Sequence, residues 1–416
     1  MTTTASSILL LIASCAVFGS SSARCGGCFT RLFSFGDSIT DNGNWLRFAS
    51  SPGTDASSAG PVTSSPYGET FFHLPNGRFC DGRIIIDHIS DALGLPFLTP
   101  YLAGNSSQDY AHGANFAVGG ATALSKDYFT AKNLDDLFTP YPLLWQMAWF
   151  RNVTRMVATD EQGLRDVMAT PLFLVGEIGG NDYNRALLRG RSVDEVITYV
   201  PDVVAAISVF LTVLIPFLGN HHRMRIFSHQ LSTGINDPVN DLQELIGLGA
   251  KTIVVPGNFP TGCSPGYLAW FQTNDTAQYD SMGCLRWPNH LTELHNRALK
   301  AELTRLRRRH PGVAIVYADY YAAAMDLIAD PGKHGSILWF GGQPLVSCCG
   351  GGGTYNVNPQ VQCGMNQSTV CSDPNLAVSW DGFHFTEHTY KVIADGMLRG
   401  AYAVPPITSS CSGRSL

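Results

Sequence analysis

The chain is predicted to fold as one three-layer α/β domain around a central parallel sheet of about five strands. Short apolar runs alternate with longer segments of helical periodicity, which is typical of parallel strands joined by crossover helices. With 416 residues, of which 45% are hydrophobic and 11% aromatic, the chain can bury a large core. We therefore expect residues 24–408 to form a single domain.

The strands are expected where short apolar runs can be buried on both faces. In chain order they are Arg31–Phe35, Ala114–Val118, Leu172–Glu177, Lys251–Pro256 and Val313–Tyr317. The first three lead into glycine-containing loops, which are Gly36-Asp37-Ser38, Gly119-Gly120 and Gly179-Gly180-Asn181-Asp182. Ligands of an open parallel sheet collect at the carboxyl ends of its strands, so these loops are predicted to converge on one site.

The region between the third and fourth strands departs from this alternation. Asp194–Ser208 is predicted to be a helix, and Leu242–Leu248 the closing turns before the fourth strand. We predict that residues 209–241 are an atypical insertion, because a structureless stretch of that length is unusual in a compact domain. The apolar stretch Val203–Gly219 contains a proline and is expected to be a buried helix, with no stable membrane span. Three histidines of the insertion are expected in an exposed loop and not at a metal: His221, His222 and His229.

The first 23 residues are predicted to be a secretory signal peptide. They carry no charged side chain, contain the apolar run Ile8–Ala13 and end in small residues. Four of the eleven cysteines lie in a glycine-rich segment and are expected to form disulfides, with three pairings open: Cys348, Cys349, Cys363 and Cys371. The Cys25–Cys28 pair is expected to be structural. Four sequons indicate a glycosylated surface: Asn105, Asn152, Asn274 and Asn366.

The charge balance argues against nucleic acid as a partner. The chain has 27 basic and 33 acidic residues, a formal net charge of −6, and so offers no general excess of positive charge for phosphates. We expect a small-molecule or polysaccharide partner and a monomeric protein.

Two distant clusters together contain the groups of a serine hydrolase. Ser38 follows the first predicted strand, while Asp381 and His384 lie three positions apart near the end of the chain. A serine becomes nucleophilic when an imidazole takes its proton, and a carboxylate fixes the tautomer of that imidazole. The spacing brings Asp381 and His384 to one face of a turn, so the carboxylate can hold Nδ1–H and leave Nε2 for Ser38. We therefore predict that these three residues form a catalytic triad.

Four sequence blocks indicate a more specific relationship to known proteins. They read FSFGDSITDNGN, GANFAVGGAT, GEIGGNDYN and DGFHFTEHTY, and they span nearly the whole mature chain. In order and approximate spacing they resemble the plant GDSL esterase/lipase family of the SGNH hydrolase superfamily. The resemblance implies a flavodoxin-like fold. No cofactor is expected, and the predicted signal peptide and the cysteines indicate a secreted, extracellular or cell-wall protein, with the Golgi as a further compartment. It also implies Ser38 as nucleophile, Gly120 and Asn181 as partners in catalysis, and Asp381 with His384 completing the triad.

Acyl transfer needs hydrogen-bond donors for the oxyanion that forms on the substrate carbonyl. The predicted donors are the backbone N–H groups of Ser38 and Gly120 and the side-chain amide of Asn181. Glycine lets its N–H approach the substrate closely, and the amide reaches the site from a different loop. Gly119 is the less favoured alternative to Gly120.

Other polar residues near these blocks receive different interpretations. His388 is a rival base, but we favour a solvated position for it. Asp37 and Asp41 are interpreted as turn or helix-cap residues. The segment His384–His388 matches the His-x-x-Glu-His pattern of inverted zinc peptidases, although only one acidic side chain, Asp395, follows it in the sequence. We do not expect a metal site.

The predicted function is the hydrolysis of a carboxylester through an acyl-enzyme. Gly60–Phe72 and Asn76–Arg83 resemble the subgroup of sinapine esterases, acetylajmalan esterases and plant polysaccharide deacetylases, and these loops are candidates for the walls of a pocket. The resemblance favours removal of a short or small acyl group, acetyl or aromatic, from a polar metabolite or cell-wall polysaccharide. The alternatives are a lipase for longer acyl chains and an inactive carbohydrate-binding protein.

Overall fold

The computed structural model describes residues 28–51, 60–134, 139–214, 248–334 and 344–411. The predicted signal peptide, Cys25 and the three insertion histidines lie outside these ranges. The strands are β1 Arg31–Phe35, β2 Thr99–Pro100, β3 Gly113–Asn115, β4 Pro171–Val175, β5 Thr252–Pro256, β6 Ala314–Ala318, β7 Cys349–Gly350, β8 Thr369–Val370 and β9 Ala403–Val404. The helices are α1 Asn44–Ala49, α2 Ile85–Ala92, α3 Lys126–Thr130, α4 Leu143–Val157, α5 Glu161–Ala169, α6 Gly180–Leu188, α7 Val193–Ile197, α8 Val200–Leu214, α9 Pro265–Trp270, α10 Arg286–Arg309, α11 Tyr320–Ala329 and α12 Glu387–Arg399.

The central sheet has seven strands in the order β2-β3-β1-β4-β5-β6-β9, and all neighbours are parallel except β6 and β9. The five predicted strands form its middle, in the spatial order of flavodoxin-like sheets, with β1 at the switch point between β3 and β4. The prediction of about five strands missed both edges, β2 and β9. Each edge strand is only two residues long, too short to produce a periodic pattern.

Helices cover both faces of the sheet, which confirms the predicted three layers. The side chains of β1 alternate between the faces, with Leu32 on one side and Phe33 and Phe35 on the other. The two phenylalanines pack in a core with α4, α8 and α10, and Leu32 packs in a second core with α2, α11 and α12. Burial on both faces explains why the strand sequences are almost continuously apolar.

Helix α8 corrects the predicted start of the insertion. The segment predicted as one helix, Asp194–Ser208, is divided between α7 and α8, and α8 continues to Leu214. Phe210 is fully buried, and its ring packs edge-on against Phe35 with centroids 4.9 Å apart. Residues 209–214 of the predicted insertion therefore belong to the core helix and are not structureless.

The chain returns to α8 directly before β5. The backbone N–H of Ala250 donates to the carbonyl of Leu214 at 3.1 Å, so the two ends of the intervening segment lie side by side. Leu248, predicted to end a helix, is irregular, and residues 242–247 of that prediction lie outside the described ranges.

Among the described residues, one helical stretch, Val193–Leu214, is long and apolar enough to cross a membrane. Just over half of its most apolar window is buried, and its side chains pack against the sheet as part of the core. A core helix passes the same test of length and composition, so no stable membrane span is indicated.

The glycine-rich segment is cross-linked by two disulfides, Cys348–Cys371 and Cys349–Cys363, one of the three pairings left open by the sequence. A further disulfide joins Cys263 to Cys284. Cys28 is also disulfide-bonded, while Cys80 carries a buried free thiol. The four sequon asparagines are all exposed: Asn105, Asn152, Asn274 and Asn366. Their glycosylation remains a prediction.

Candidate active site

The loop after β1 holds Ser38 at the carboxyl edge of the sheet. Gly36 has φ +140°, and a Cβ there would lie 2.7 Å from Oγ1 of Thr40, so only glycine fits this turn. Gln146 of α4 binds Gly36 at two points: its Oε1 accepts from the backbone N–H at 2.9 Å, and its Nε2 donates to the carbonyl at 2.7 Å. This fully buried glutamine fixes the backbone that carries Ser38.

Ser38, His384 and Asp381 form a continuous chain of hydrogen bonds. Nε2 of His384 lies 2.8 Å from Oγ of Ser38, and Nδ1 of His384 lies 2.7 Å from Oδ2 of Asp381. A carboxylate accepts, so Nδ1 carries the proton and Nε2 is left to accept from the serine hydroxyl. The structure thus brings together side chains 346 positions apart in the sequence.

Asp381 and His384 lie in a bend before α12. Gly382, between them, has φ +99°, and Oδ1 of Asp381 accepts from the backbone N–H groups of Phe383 at 3.0 Å and His384 at 2.9 Å. Burial alone would raise the pKa of Asp381. The His384 ring and the two backbone donors outweigh burial and hold that pKa below its usual range.

Tyr67 is a further partner of the carboxylate that the sequence analysis did not single out. Its hydroxyl donates to Oδ2 of Asp381 at 2.9 Å, and its buried ring packs edge-on against Trp380. Burial and the neighbouring Asp381 raise the pKa of the Tyr67 hydroxyl well above its ordinary value, so the hydroxyl remains a donor. Tyr67 lies in a Pro- and Gly-rich loop more than 300 positions before Asp381, and no local pattern links them.

In the second loop, the backbone N–H of Gly120 is better placed to donate a hydrogen bond to a substrate than that of Gly119. Ala121 N–H donates to the carbonyl of Val118 at 3.0 Å, closing a four-residue turn in which Gly120 has φ +77°. Positive φ at the third position of such a turn favours glycine. The N–H of Gly119 is already bound to Oδ2 of Asp41 at 2.7 Å. No described residue accepts a hydrogen bond from the N–H of Gly120, which lines the same cavity as Ser38.

Asn181, in the third loop, lies next to the first and second loops. Its Nδ2 donates to Oδ2 of Asp37 at 2.9 Å and to the carbonyl of Ala121 at 3.1 Å. Since the Ala121 carbonyl can only accept, the atom facing it must be the amide nitrogen. Its neighbour Asp182 accepts from the backbone N–H groups of Ala123 and Leu124. The three loops predicted to converge are therefore joined by direct hydrogen bonds.

Buried carboxyl groups hold these loops in place by accepting hydrogen bonds from their backbone. Asp41 accepts from the backbone N–H groups of Gly43, Asn44 and Trp45 at the start of α1, in agreement with its interpretation as a turn or helix-cap residue. Asp37 accepts from Ile39 in the turn, as predicted. Burial raises the pKa of Asp41 to about 6 and that of Asp182 to about 7.

A cavity of about 750 Å³ lies over Ser38 and His384. The predicted loop segments supply part of its wall, through Val62, Tyr67 and Phe79, and the Phe79 ring packs on His384 with centroids 4.9 Å apart. Two aromatic residues that line the cavity are partly exposed to solvent: Trp270 is 46% exposed and Phe383 is 40% exposed. The volume suits a small organic substrate.

The zinc-peptidase pattern is not assembled as a metal site. His384 is engaged at both ring nitrogens, and Glu387 accepts from the backbone N–H and Nε of Arg83. Within the described ranges, no three His, Cys, Asp or Glu side chains converge as metal ligands. His388 does not line the cavity, whereas His384 does.

A serine hydroxyl, a histidine and a buried carboxylate in hydrogen-bond series define the class of serine hydrolases. The family model described as GDSL-like Lipase/Acylhydrolase matches residues 32–397. The chain is 38% identical to the Arabidopsis thaliana protein named GDSL esterase/lipase At1g28570, over 97% of this chain and 93% of that protein. It is 41% identical to GDSL esterase/lipase At1g28600 of the same plant, over 92% and 87%. The chain therefore belongs to the GDSL lipase/acylhydrolase family and is an ester-hydrolysing enzyme.

Proposed function

We propose that the protein is a secreted serine esterase that removes a short or small acyl group, acetyl or aromatic, from a polar plant metabolite or cell-wall polysaccharide. The observation that carries the proposal is the 2.8 Å contact between Oγ of Ser38 and Nε2 of His384. A nucleophile within hydrogen-bond reach of an oriented base is the arrangement required for covalent catalysis.

In the first half-reaction, Oγ of Ser38 attacks the ester carbonyl carbon while its proton passes to Nε2 of His384. Asp381 holds Nδ1–H and stabilises the imidazolium through the 2.7 Å hydrogen bond. The tetrahedral intermediate collapses, the bond to the alcohol breaks, and the departing oxygen takes the proton from Nε2. The acyl group then remains on Ser38.

In the second half-reaction, His384 takes a proton from water as that water attacks the acyl-serine carbonyl. The bond to Oγ breaks, the serine regains its proton from Nε2, and the carboxylic acid leaves. In both halves the oxyanion receives hydrogen bonds from the backbone N–H groups of Ser38 and Gly120 and from the Asn181 amide. The amide exchanges its hydrogen bond to the Ala121 carbonyl for one to the oxyanion and keeps the one to Asp37. Donors held in place before the reaction stabilise this charge without reorganising.

The exposed aromatic side chains support a ring-shaped alcohol or acyl portion of the substrate. The Phe383 ring covers Gly266, where an added Cβ would lie 2.5 Å from the ring. Trp270 follows Gly266 by four positions on α9, so both rings lie on the same side of the helix. Amide side chains of Asn356, Asn358 and Gln362 line the same cavity. Flat apolar rings beside amides suit a polar ring such as a sugar or a phenolic group.

Secretion is supported by the disulfides of the described residues and by the exposed sequons. Disulfides persist in oxidising compartments and are rare in the cytosol. A mass spectrum of the protein purified from the culture medium of a plant or yeast host tests this part of the proposal. It should show a chain beginning near residue 24 and carrying glycans.

The esterase proposal is tested by p-nitrophenyl esters from acetate to palmitate, assayed with the wild type and Ser38→Ala. We expect the wild type to prefer the shortest esters and Ser38→Ala to lose turnover. A long-chain optimum would identify a lipase, and equal rates for both proteins would favour a carbohydrate-binding protein. Acetylated xylan and choline esters, compared at equal ester concentration, then separate polysaccharide from small-metabolite substrates.

A further inference from the structure

Two buried carboxyl groups interact next to Ser38. Asp37 is 2% exposed and Glu177 is 5% exposed, both line the cavity, and Glu177 raises the pKa of Asp37. Glu177 follows β4, so the contact joins the loop of the nucleophile to that of Asn181. From the sequence, Glu177 is predicted only as the last residue of a strand.

The groups that face this pair leave its charge uncompensated. They are Asp182 and Tyr183 from α6, Tyr320 from α11, Tyr390 from α12, and His384. No lysine or arginine in the described part of the chain forms an ion pair with either carboxyl group. Two adjacent carboxylates without a cation cannot both be ionised in a buried site, so the pair must keep one proton at neutral pH.

The surroundings place that proton on Asp37. Burial raises the pKa of Glu177 to about 7 and, together with the nearby Glu177, raises the pKa of Asp37 well above its usual range. The backbone N–H of Gly180, the first residue of α6, lowers the pKa of Glu177, in keeping with the preference of a helix start for negative charge. The protonated carboxyl group of Asp37 therefore donates to the carboxylate of Glu177.

The pair is connected to both halves of the catalytic site. Asp37 accepts from Nδ2 of Asn181 at 2.9 Å, which anchors the amide beside the oxyanion position. Asp37 also interacts electrostatically with His384. A single negative charge on the pair therefore favours the imidazolium that forms when Ser38 loses its proton, in addition to the effect of Asp381.

We propose that Asp37 and Glu177 act as a proton-sharing pair whose single negative charge orients the Asn181 amide and supports the protonated His384 during ester hydrolysis. Both are positioning residues, since neither touches the reacting atoms. The inference rests on the proposed roles of Ser38, His384 and Asn181. It predicts that activity requires two deprotonations on the acid side, one of His384 and one of the pair.

The effect of the negative charge on Glu177 can be measured by comparing Asp37→Asn with the double variant Asp37→Asn/Glu177→Gln. Asparagine can still donate to Glu177 and accept from Asn181, at the expense of the hydrogen bond from the Ile39 N–H, so the single variant keeps the negative charge on Glu177. The second substitution removes that charge, together with one acceptor oxygen of Glu177. We expect the second substitution to lower kcat by roughly tenfold to a hundredfold, the range for a hydrogen bond to a charged group, with KM changed less than about threefold.

The pH profile gives a readout that a purely structural role would not change. The acid limb of log kcat/KM should have a slope near two in the wild type and in Asp37→Asn, and near one in the double variant. Asp87→Asn serves as the control, because it alters a carboxylate that is 1% exposed and paired with Arg78 outside the cavity. It should lower the melting temperature and keep the slope near two.

Infrared spectroscopy tests the shared proton even where a variant folds poorly. The difference spectrum between the wild type and Asp37→Asn at pH 8 should contain the stretching band of a protonated, buried carboxyl group. Absence of this band, or equal kcat and slope in the single and double variants, would overturn the inference. A Ser38→Ala variant that still hydrolyses esters would instead refute the proposed function, so the two failures are distinguishable.

Discussion

The Asp381→Asn substitution isolates the role of the carboxylate, because the structure fixes how the new amide must lie. Oδ1 of Asp381 accepts two backbone N–H groups, from Phe383 at 3.0 Å and from His384 at 2.9 Å. Both groups are donors, so the asparagine oxygen has to stay in that position and the NH₂ group takes the place of Oδ2. There the NH₂ group faces Nδ1 of His384 and the hydroxyl of Tyr67.

The amide thereby reverses the tautomer of His384. Nδ1 has to accept from the asparagine, so the proton moves to Nε2, which then donates to Ser38 and cannot remove its proton. The Tyr67 hydroxyl can rotate and accept from the same NH₂ group, so the fold is expected to persist. A reversed tautomer in a serine hydrolase lowers kcat about ten-thousand-fold. At 1.36 kcal/mol per factor of ten, the loss of transition-state stabilisation is ~5 kcal/mol.

The assay compares kcat for p-nitrophenyl acetate at pH 7.5 in the wild type, Asp381→Asn and Ser38→Ala, with a thermal melt of each protein. We expect a folded Asp381→Asn variant with a KM close to the wild-type value and a kcat about ten-thousand-fold below the wild type, but above that of Ser38→Ala. A folded variant whose kcat lies within tenfold of the wild type would refute it, because the tautomer would then not be set by this carboxylate.

Four further outcomes follow from the same contacts. Asn181→Ala should lower kcat by roughly a hundredfold to a thousandfold with little change in KM, since one oxyanion donor is lost; an unchanged kcat would remove Asn181 from the oxyanion hole. Tyr67→Phe should lower the free energy of unfolding by about 1.5–3 kcal/mol in urea denaturation, because a buried carboxylate loses a donor, and a variant as stable as the wild type would contradict the contact. The melting temperature should rise from pH 8 to about pH 6.5, because burial raises the pKa values of Glu177 and Asp182 to about 7 and the folded state takes up protons as the pH falls; a lower melting temperature at pH 6.5 than at pH 8 would contradict this. Excision of residues 215–247 should leave a folded, active esterase, whereas excision of 209–241 should not fold, because it removes Phe210 and the end of α8.

The excision prediction has a specific structural basis. Removing 215–247 joins Leu214 to Leu248 and leaves Ala250 three positions after Leu214. The existing 3.1 Å hydrogen bond between Ala250 N–H and the Leu214 carbonyl then closes a four-residue turn. Gly249 has φ +97°, which suits the third position of that turn. Circular dichroism and p-nitrophenyl acetate turnover of the two deletions, expressed side by side, decide between them.

The sequence predicted the features that rest on local patterns. The buried strands were recognisable because both faces are covered, and β1 was predicted at its observed limits, Arg31–Phe35. The glycines after the strands marked the loops that meet at the site. The Asp381–His384 spacing also was sufficient to predict their contact, although the residues form a bend and not a helical turn.

The sequence could not predict features that depend on distant contacts. Tyr67, Gln146 and Glu177 act on residues far along the chain, and nothing in their local sequence marks them. The end of α8 was misplaced for a similar reason. Its apolar side chains continue into the region interpreted as an insertion, and only the packing of Phe210 on Phe35 shows that the helix continues to Leu214. The edge strands β2 and β9 depend on their neighbours in the sheet.

The central claim is that Ser38 is the nucleophile activated by His384. Its most direct test is mass spectrometry of the protein after treatment with a fluorophosphonate, which phosphonylates an activated serine. The structure predicts one adduct per chain, located on the peptide that contains Ser38, and almost no labelling of His384→Ala under the same conditions. Labelling at another serine, or equal labelling of the wild type and His384→Ala, would contradict the claim.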